Sequence, residues 1–217
     1  MTGAGEPSTA GGSLARTHAD RPGLPRGRSG LPADEVGSAH RDRLIRAMIA
    51  ASAELGYADV GVAEVVRRAR VSRNAFYAHF ADKEECFLAA VDFGAQTVFQ
   101  RITAAAGFRG GISAYLRFLA DEPEFARVFL IEMQAAGPRA RERFAAAHAH
   151  FADLIRRWHE QHRAADPTWP AVPEEVFTAL VGAIHELIAT RVRAGGDPTA
   201  LEDTAVRVHR ALVRGWS

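Results

Sequence analysis

Arg73, Asn74 and Tyr77 place a guanidinium, a carboxamide and a phenol within five residues. A guanidinium matches the two acceptors of guanine, a carboxamide matches adenine, and a phenol serves a base edge or a phosphate. The three lie in the run Val71-Ser72-Arg73-Asn74-Ala75-Phe76-Tyr77-Ala78-His79-Phe80. Ser72 suits a helix N-cap, because its hydroxyl accepts a hydrogen bond from an otherwise orphaned backbone N–H. Phe76 and Phe80 are four apart, share one face and can anchor the helix to a core. Asp82 is a second N-cap, and Lys83 stands in the first turn that follows. From residue 65 to residue 83, Arg67, Arg68, Arg70, Arg73 and Lys83 face only Asp82, a local charge of +4. Two short helices joined by a tight turn, basic and polar on the outer face, predict an element that enters a DNA major groove.

The fold class predicted around this element is all-α. No alternating strand pattern of useful length occurs, and no hairpin dipeptide separates apolar runs. A three-helix helix-turn-helix unit is predicted over residues 39–84. Its helices run from about His40 to Leu55, with Leu44, Ile45, Met48 and Ile49 inward, from Val62 to Ala69, and from Ser72 to Phe80. Gly56 suits the position just past a helix end. A helix from about Lys83 carries Phe87, Val91, Ala95, Val98 and Ile102, a stripe too long for the small unit. It must enter the second core of a larger helical domain, residues 85–217. Gly107 to Gly111 is expected to interrupt the pattern before a short helix with Ile112, Tyr115, Leu116 and Leu119. Pro123 opens a helix that is apolar nearly all round through Val128 to Ile131. Further helices are predicted from Arg139 to Arg163, from Glu174 to Arg193, and from Pro198 onward. Residues 1–38 are rich in Gly, Pro, Ser and Thr and predict a disordered arm. Its Arg16, Arg21, Arg26 and Arg28 read either as a basic arm against DNA or as a solvated tail.

Composition narrows the classes. The chain has 217 residues, 47% of them hydrophobic, which excludes wholesale disorder. Its net charge of +1 means that any DNA affinity must come from a local patch. Cys86 is the only cysteine, so no internal disulfide forms, and a buried, inert thiol in a reducing cytoplasm is expected. No apolar run reaches transmembrane length and no secretory signal is present, so the protein is read as cytoplasmic. No nucleophile elbow, phosphate loop, dinucleotide fingerprint or metalloprotease helix occurs, so no enzyme and no cofactor are expected. His148, His150, His159 and His162 crowd one helix. Without a cysteine or carboxylate at ligand spacing they predict no metal site.

The run from Val71 to Phe80, followed by Lys83-Glu84, resembles the recognition-helix signature of TetR-type (TetR/AcrR) transcriptional regulators. The upstream apolar helix, Gly56-Tyr57 and the short helix ending Arg67-Arg68-Ala69 fit the same pattern, so the resemblance covers about residues 39 to 92. Four positions depart from it. Arg70 stands where the turn usually has Gly, a residue suited to positive φ. Val60 and Gly61 stand where a capping Thr or Ser is usual, Asn74 where Gly or Pro is frequent, and Ala75 where Thr is frequent.

The resemblance implies a ligand-responsive, DNA-binding regulator, a repressor that binds a palindromic operator as a homodimer. It assigns DNA contacts to Ser72, Arg73, Asn74, Tyr77, His79 and Lys83, with Arg73, Asn74 and Tyr77 at bases and Tyr77, His79 and Lys83 at phosphates. It implies a pocket for a small, mostly apolar effector. Candidate lining residues are Phe99, Tyr115, Phe129, Glu132, Met133, Phe144, His148, Phe151, Phe177 and Ile184. Glu132 and His148 are polar residues on apolar stretches, so each needs a partner or a ligand. The last two helices are expected to pair across the dimer through Val181, Ile188, Val192, Val208 and Leu212. Arg70, Gly61 and Ala75 keep an alternative open: a helical ligand-binding or scaffold protein whose helix-turn-helix no longer binds DNA.

Overall fold

The computed structural model describes residues 14–16 and 33–215, the side chains of residues 33–36 apart. Its helices are α1 (Ala33–Leu55), α2 (Val62–Ala69), α3 (Arg73–Tyr77), α4 (Lys83–Thr103), α5 (Gly107–Asp121), α6 (Pro123–Leu130), α7 (Pro138–Ala165), α8 (Glu174–Arg193) and α9 (Glu202–Arg214). Short 3-10 turns at Glu132–Gln134 and Pro198–Leu201 precede α7 and α9. The described residues contain no strand. None of their helices is long and apolar enough to cross a membrane.

Helices α1 to α3 form a compact head whose core is Leu44, Ile45, Met48, Ile49, Val65, Phe76 and Phe80, all buried. Helix α4 leaves this head and carries Phe87, Val91, Val98 and Ile102 into the larger body. The buried side chains of head and body join in one continuous cluster. Gly94 makes the crossing of α4 and α6 close: a Cβ there would sit 2.0 Å from the Phe125 ring. Only a residue without a side chain lets that ring lie on the α4 backbone.

Several boundaries differ from the sequence expectation. Helix α1 starts at Ala33, seven residues before His40, because its first turns have no apolar stripe to announce them. Helix α3 is only five residues long, and a turn through Ala78 and His79 carries the chain to Phe80. Helix α5 begins at Gly107 and runs straight through Gly111, so glycine does not interrupt it. Tertiary packing outweighs the weak helix propensity of glycine there. Most of the expected arm, including Arg21, Arg26 and Arg28, lies outside the described residues. Two parts of it are ordered: residues 33–38 are helical, and Leu14 and Ala15 are buried against the body.

Two carboxylates flank α6 and tie the N-terminal region to it. Glu122 accepts the Leu14 N–H at 2.8 Å, and Glu132 accepts the Tyr57 N–H at 2.9 Å. Both side chains are buried, at 3% and 8% exposure. Each satisfies a backbone donor far away in sequence, as a buried polar group must.

Candidate nucleic-acid interface and internal cavity

The outer face of α3 is built by its inner face. Phe76 is fully buried and Phe80 nearly so, which fixes the rotation of the helix. The Ser72 hydroxyl accepts the Ala75 N–H at 3.0 Å and caps it. Arg73, Asn74 and Tyr77 then face solvent together, Tyr77 at 49% exposure. The Arg73 guanidinium lies 5.8 Å from the Tyr77 ring centroid, so both heads leave the surface side by side. His79 is half-buried. A Cβ on Gly37 would come within 3.6 Å of its ring, so it also packs against the first turns of α1.

The basic patch is smaller than the local sequence suggests. Glu64 lies just outside the window that summed to +4, yet it accepts Arg67 at 2.6 Å and Arg68 at 2.6 Å. Arg68 also meets Glu54 of α1 at 2.8 Å. Hydrogen bonds from Arg67 and Arg68 hold the Glu64 carboxyl down to about 2. Two of the five cations are therefore matched within the head, and Arg73 dominates the exposed face of α3. Arg70, at the position where glycine is usual, takes up the left-handed conformation directly, with φ 53° and ψ 43°. It is the only described non-glycine residue with positive φ, and a Cβ makes that region costly.

Lys83, assigned to a phosphate by the resemblance, is engaged within the head in this structure. Its ammonium donates to the Tyr57 carbonyl at 2.9 Å and stands 4.1 Å from the Tyr57 ring centroid. It therefore ties the start of α4 to the α1–α2 turn. The opposite side of the same turn is held by Glu132 through the Tyr57 N–H. Arg127 lies 3.6 Å from Glu132 and partly balances its charge. Glu132, expected in the pocket, is thus a clasp between head and body. The sequence raised it as a buried charge needing a partner; the partner, a backbone N–H on a different helix turn, left no sequence signal.

The body holds a cavity of about 60 Å³ between α4, α5, α6, α7 and α8. Of the expected lining residues, Tyr115, Phe129, His148, Phe151 and Ile184 reach it. Phe99 and Phe144 stand one layer back. Phe99 stacks on Phe151 at 4.8 Å, and Phe144 packs against His148 at 4.1 Å. Met133 and Phe177 are buried in the core outside the lining. Sequence reasoning missed Ile102, Phe108, Gly111, Ile112, Leu154, Ile155, Trp158, Val181 and His185, which complete the wall. Gly111 admits the Trp158 ring, since a Cβ there would sit 2.2 Å from it. Burial and then the neighbouring His185 hold the His148 imidazole down to about 4, and burial also lowers His185. Burial pushes the Tyr115 phenol up. Among the described residues no three His, Cys, Asp or Glu side chains gather as a metal cage. Cys86 is buried, and burial drives its thiol well above the ordinary range, so it is unreactive.

The expected dimer residues divide. Val181 and Ile188 turn inward, Val181 onto the cavity, and are buried within the single chain. They are not surface residues, because α8 has two apolar faces and the body takes both. Val192, Val208 and Leu212 are half-buried. The outer face of α8 consists of Ala179, Gly182, Ala183 and Leu187, with Leu187 at 37% exposure.

Comparison with known proteins agrees with this geometry. Residues 44–90 match the family model for bacterial regulatory proteins of the tetR family. Over 97 residues the chain is 35% identical to the transcriptional regulator AcuR of Cereibacter sphaeroides, a match that spans 45% of this chain and 41% of that regulator. The fatty acid degradation regulator FadR of Bacillus halodurans superposes over 81% of this chain and 95% of its own, with TM-score 0.67 and 18% identity. A tetR-family regulatory protein from Rhodococcus RHA1 gives TM-score 0.64 and 23% identity over 80% of this chain and 96% of its own. FadR of Bacillus subtilis, solved in complex with stearoyl-CoA, gives TM-score 0.67 and 17% identity over 80% and 97%. These solved structures share the fold, from the helix-turn-helix head through the larger helical body. The head is thus matched in sequence to the tetR family of bacterial regulatory proteins, and the fold of the rest of the chain is matched to solved structures of the same architecture.

Proposed function

We propose that this chain is a cytoplasmic, ligand-responsive repressor that binds a palindromic operator as a homodimer. The observation that carries the reading is the face of Arg73, Asn74 and Tyr77, held outward on a capped helix by buried Phe76 and Phe80. Its chemistry suits bidentate readout of guanine and adenine. The outer face of α8 and the half-buried Val208 and Leu212 of α9 are the surface for a second copy. Small residues there let two backbones approach closely. With two-fold symmetry the reading heads address half-sites about 34–36 Å apart or more.

The cavity is the effector site, and α6 is its link to the head. Phe129 lines the cavity, and Glu132, three residues on, holds Tyr57. An occupant that displaces Phe129 bears on the clasp that orients the head. It changes operator affinity only by binding the two arrangements unequally. The test is a mobility shift on the DNA upstream of the protein's own coding sequence. A discrete complex, weakened by about 1–3 kcal/mol in Arg73→Ala, is expected. Equal weak binding to any duplex would instead favour a scaffold whose head has lost its operator.

A further inference from the structure

Residues 14–16 come well before the first helix in sequence, yet they are seated in the molecule. Leu14 and Ala15 are 6% and 7% exposed, and both belong to the core that head and body share. The Leu14 N–H donates to Glu122 at 2.8 Å. Glu122 is the single residue between α5 and α6, and it is 3% exposed. Ala15 and Arg16 border a cleft whose other walls come from both units. Ala50, Ala53 and Glu54 of α1 and Arg68 of α2 belong to the head, and Pro123, Glu124 and Arg127 of α6 belong to the body. The segment therefore lies along the seam between them.

The seat combines two kinds of recognition. A backbone donor meets a buried carboxylate, a charge-assisted hydrogen bond. Beside it the Leu14 side chain gains by leaving water. The anchor also joins two walls of the internal cavity, since α5 brings Gly111, Ile112 and Tyr115 to it and α6 brings Phe129. At the far end of α6 Glu132 holds the Tyr57 N–H. Helix α6 is thus tied to N-terminal backbone at both ends, and the two ties differ in support. Tyr57 stands in the turn between two helices of the head. Leu14 belongs to a short segment, whose ordering costs backbone entropy with few contacts to offset it. The Leu14 tie is therefore the one that opens first.

We propose that this seam is a binding surface for the chain's own N-terminal segment, and that Leu14–Arg16 is a strap that holds the head in its described position on the body. This role differs from both a basic arm on DNA and a solvated tail. Resting on the reading of the head as the operator-binding unit, the strap also favours operator binding. A released head samples more arrangements, and only a fraction of them fits two half-sites at once.

The test uses the full chain and three variants. Leu14→Asp sets a second carboxylate beside Glu122 and should expel the strap, because like charges disfavour sharing a buried site. Leu14→Pro removes the donor N–H and keeps an apolar side chain. Leu14→Met keeps both and is the control. In the wild-type chain the Leu14 amide should exchange hydrogen at least about tenfold more slowly than in a free peptide. Leu14→Asp and Leu14→Pro should speed exchange at least about tenfold at residues 48–54 of α1 and 126–130 of α6, while residues 178–190 of α8 stay as they were. Both should bind the operator at least about threefold more weakly with the same salt dependence, and Leu14→Met should match the wild type. Fast exchange at Leu14 in the wild-type chain, or a seam unchanged in both releasing variants, would overturn the strap. So would a lowered salt slope with an unchanged seam, which would place the segment on DNA. An operator affinity unchanged in both releasing variants would overturn its effect on binding. Absence of specific binding by the wild-type chain would count against the operator reading, and the exchange measurements would still decide the strap.

Discussion

The interface between head and body and the cavity inside the body both bury polar groups, and they treat them in opposite ways. At the interface Glu122 and Glu132 each accept a backbone N–H at 2.8 Å and 2.9 Å. Around the cavity Tyr115, His148 and His185 are half-buried and pack on rings: Tyr115 on Phe151, and the two imidazoles on each other and on Phe144. The same desolvation cost acts on both. Where a buried carboxylate takes a distant backbone N–H, the group holds the architecture; where a half-buried group only packs on rings, it does not. Removing a group from the first set should therefore cost stability, and removing one from the second should not.

The largest effect is expected at the interface. Glu132→Ala leaves the Tyr57 N–H buried without an acceptor and should cost about 1–3 kcal/mol in urea unfolding. Glu132→Gln keeps an acceptor oxygen and should recover most of that loss. Equal losses in both variants would mean that charge, and not the hydrogen bond, matters at the clasp.

The cavity should announce itself through pH. The His148 imidazole is held at about 4 against an ordinary 6.5, and His209 likewise at about 4, chiefly by burial. As pH falls from 6.5 towards 4 the unfolded chain takes up these protons and the folded chain does not, so stability falls. The melting temperature should decline across that window, and His148→Phe should flatten part of the decline. A slope unchanged in that variant would place the effect elsewhere.

Two smaller effects concern the head. Arg70→Gly relieves a left-handed residue that carries a Cβ and should stabilise the protein by about 1 kcal/mol. A loss of stability would show that the Arg70 side chain contributes more than its backbone costs. Lys83→Met removes the hydrogen bond to the Tyr57 carbonyl and should cost about 1 kcal/mol of stability. It should leave the salt dependence of DNA binding unaltered, whereas a slope lowered by about one would return Lys83 to a phosphate.

Legibility in the sequence followed how local each cause was. The caps at Ser72 and Asp82 act within three residues and were readable. So was the inward turn of Phe76 and Phe80, which depends on one helix alone. At Arg70 only the family resemblance, with its usual glycine, pointed to a left-handed residue, and it left a different turn open; the residue is left-handed. The cavity was half readable. Helical spacing puts Tyr115, Phe129 and His148 on inward faces, but the tilt between helices decides whether Met133 or Trp158 reaches the space. His185 was missed because it looks solvent-facing on α8 until α7 brings His148 against it. The inward turn of Val181 and Ile188 had the same cause. Glu64 shows the weakness of summing charge over a window, since one residue beyond its edge matched two arginines inside it.

Selection of bound sequences from a random duplex pool tests the central claim most directly. Wild-type protein should enrich a palindrome with two half-sites, and Arg73→Ala should retain the spacing while losing preference at one base pair of each half-site. Enrichment of no sequence, or of an identical motif by both proteins, would contradict the assignment of this face as the reading surface.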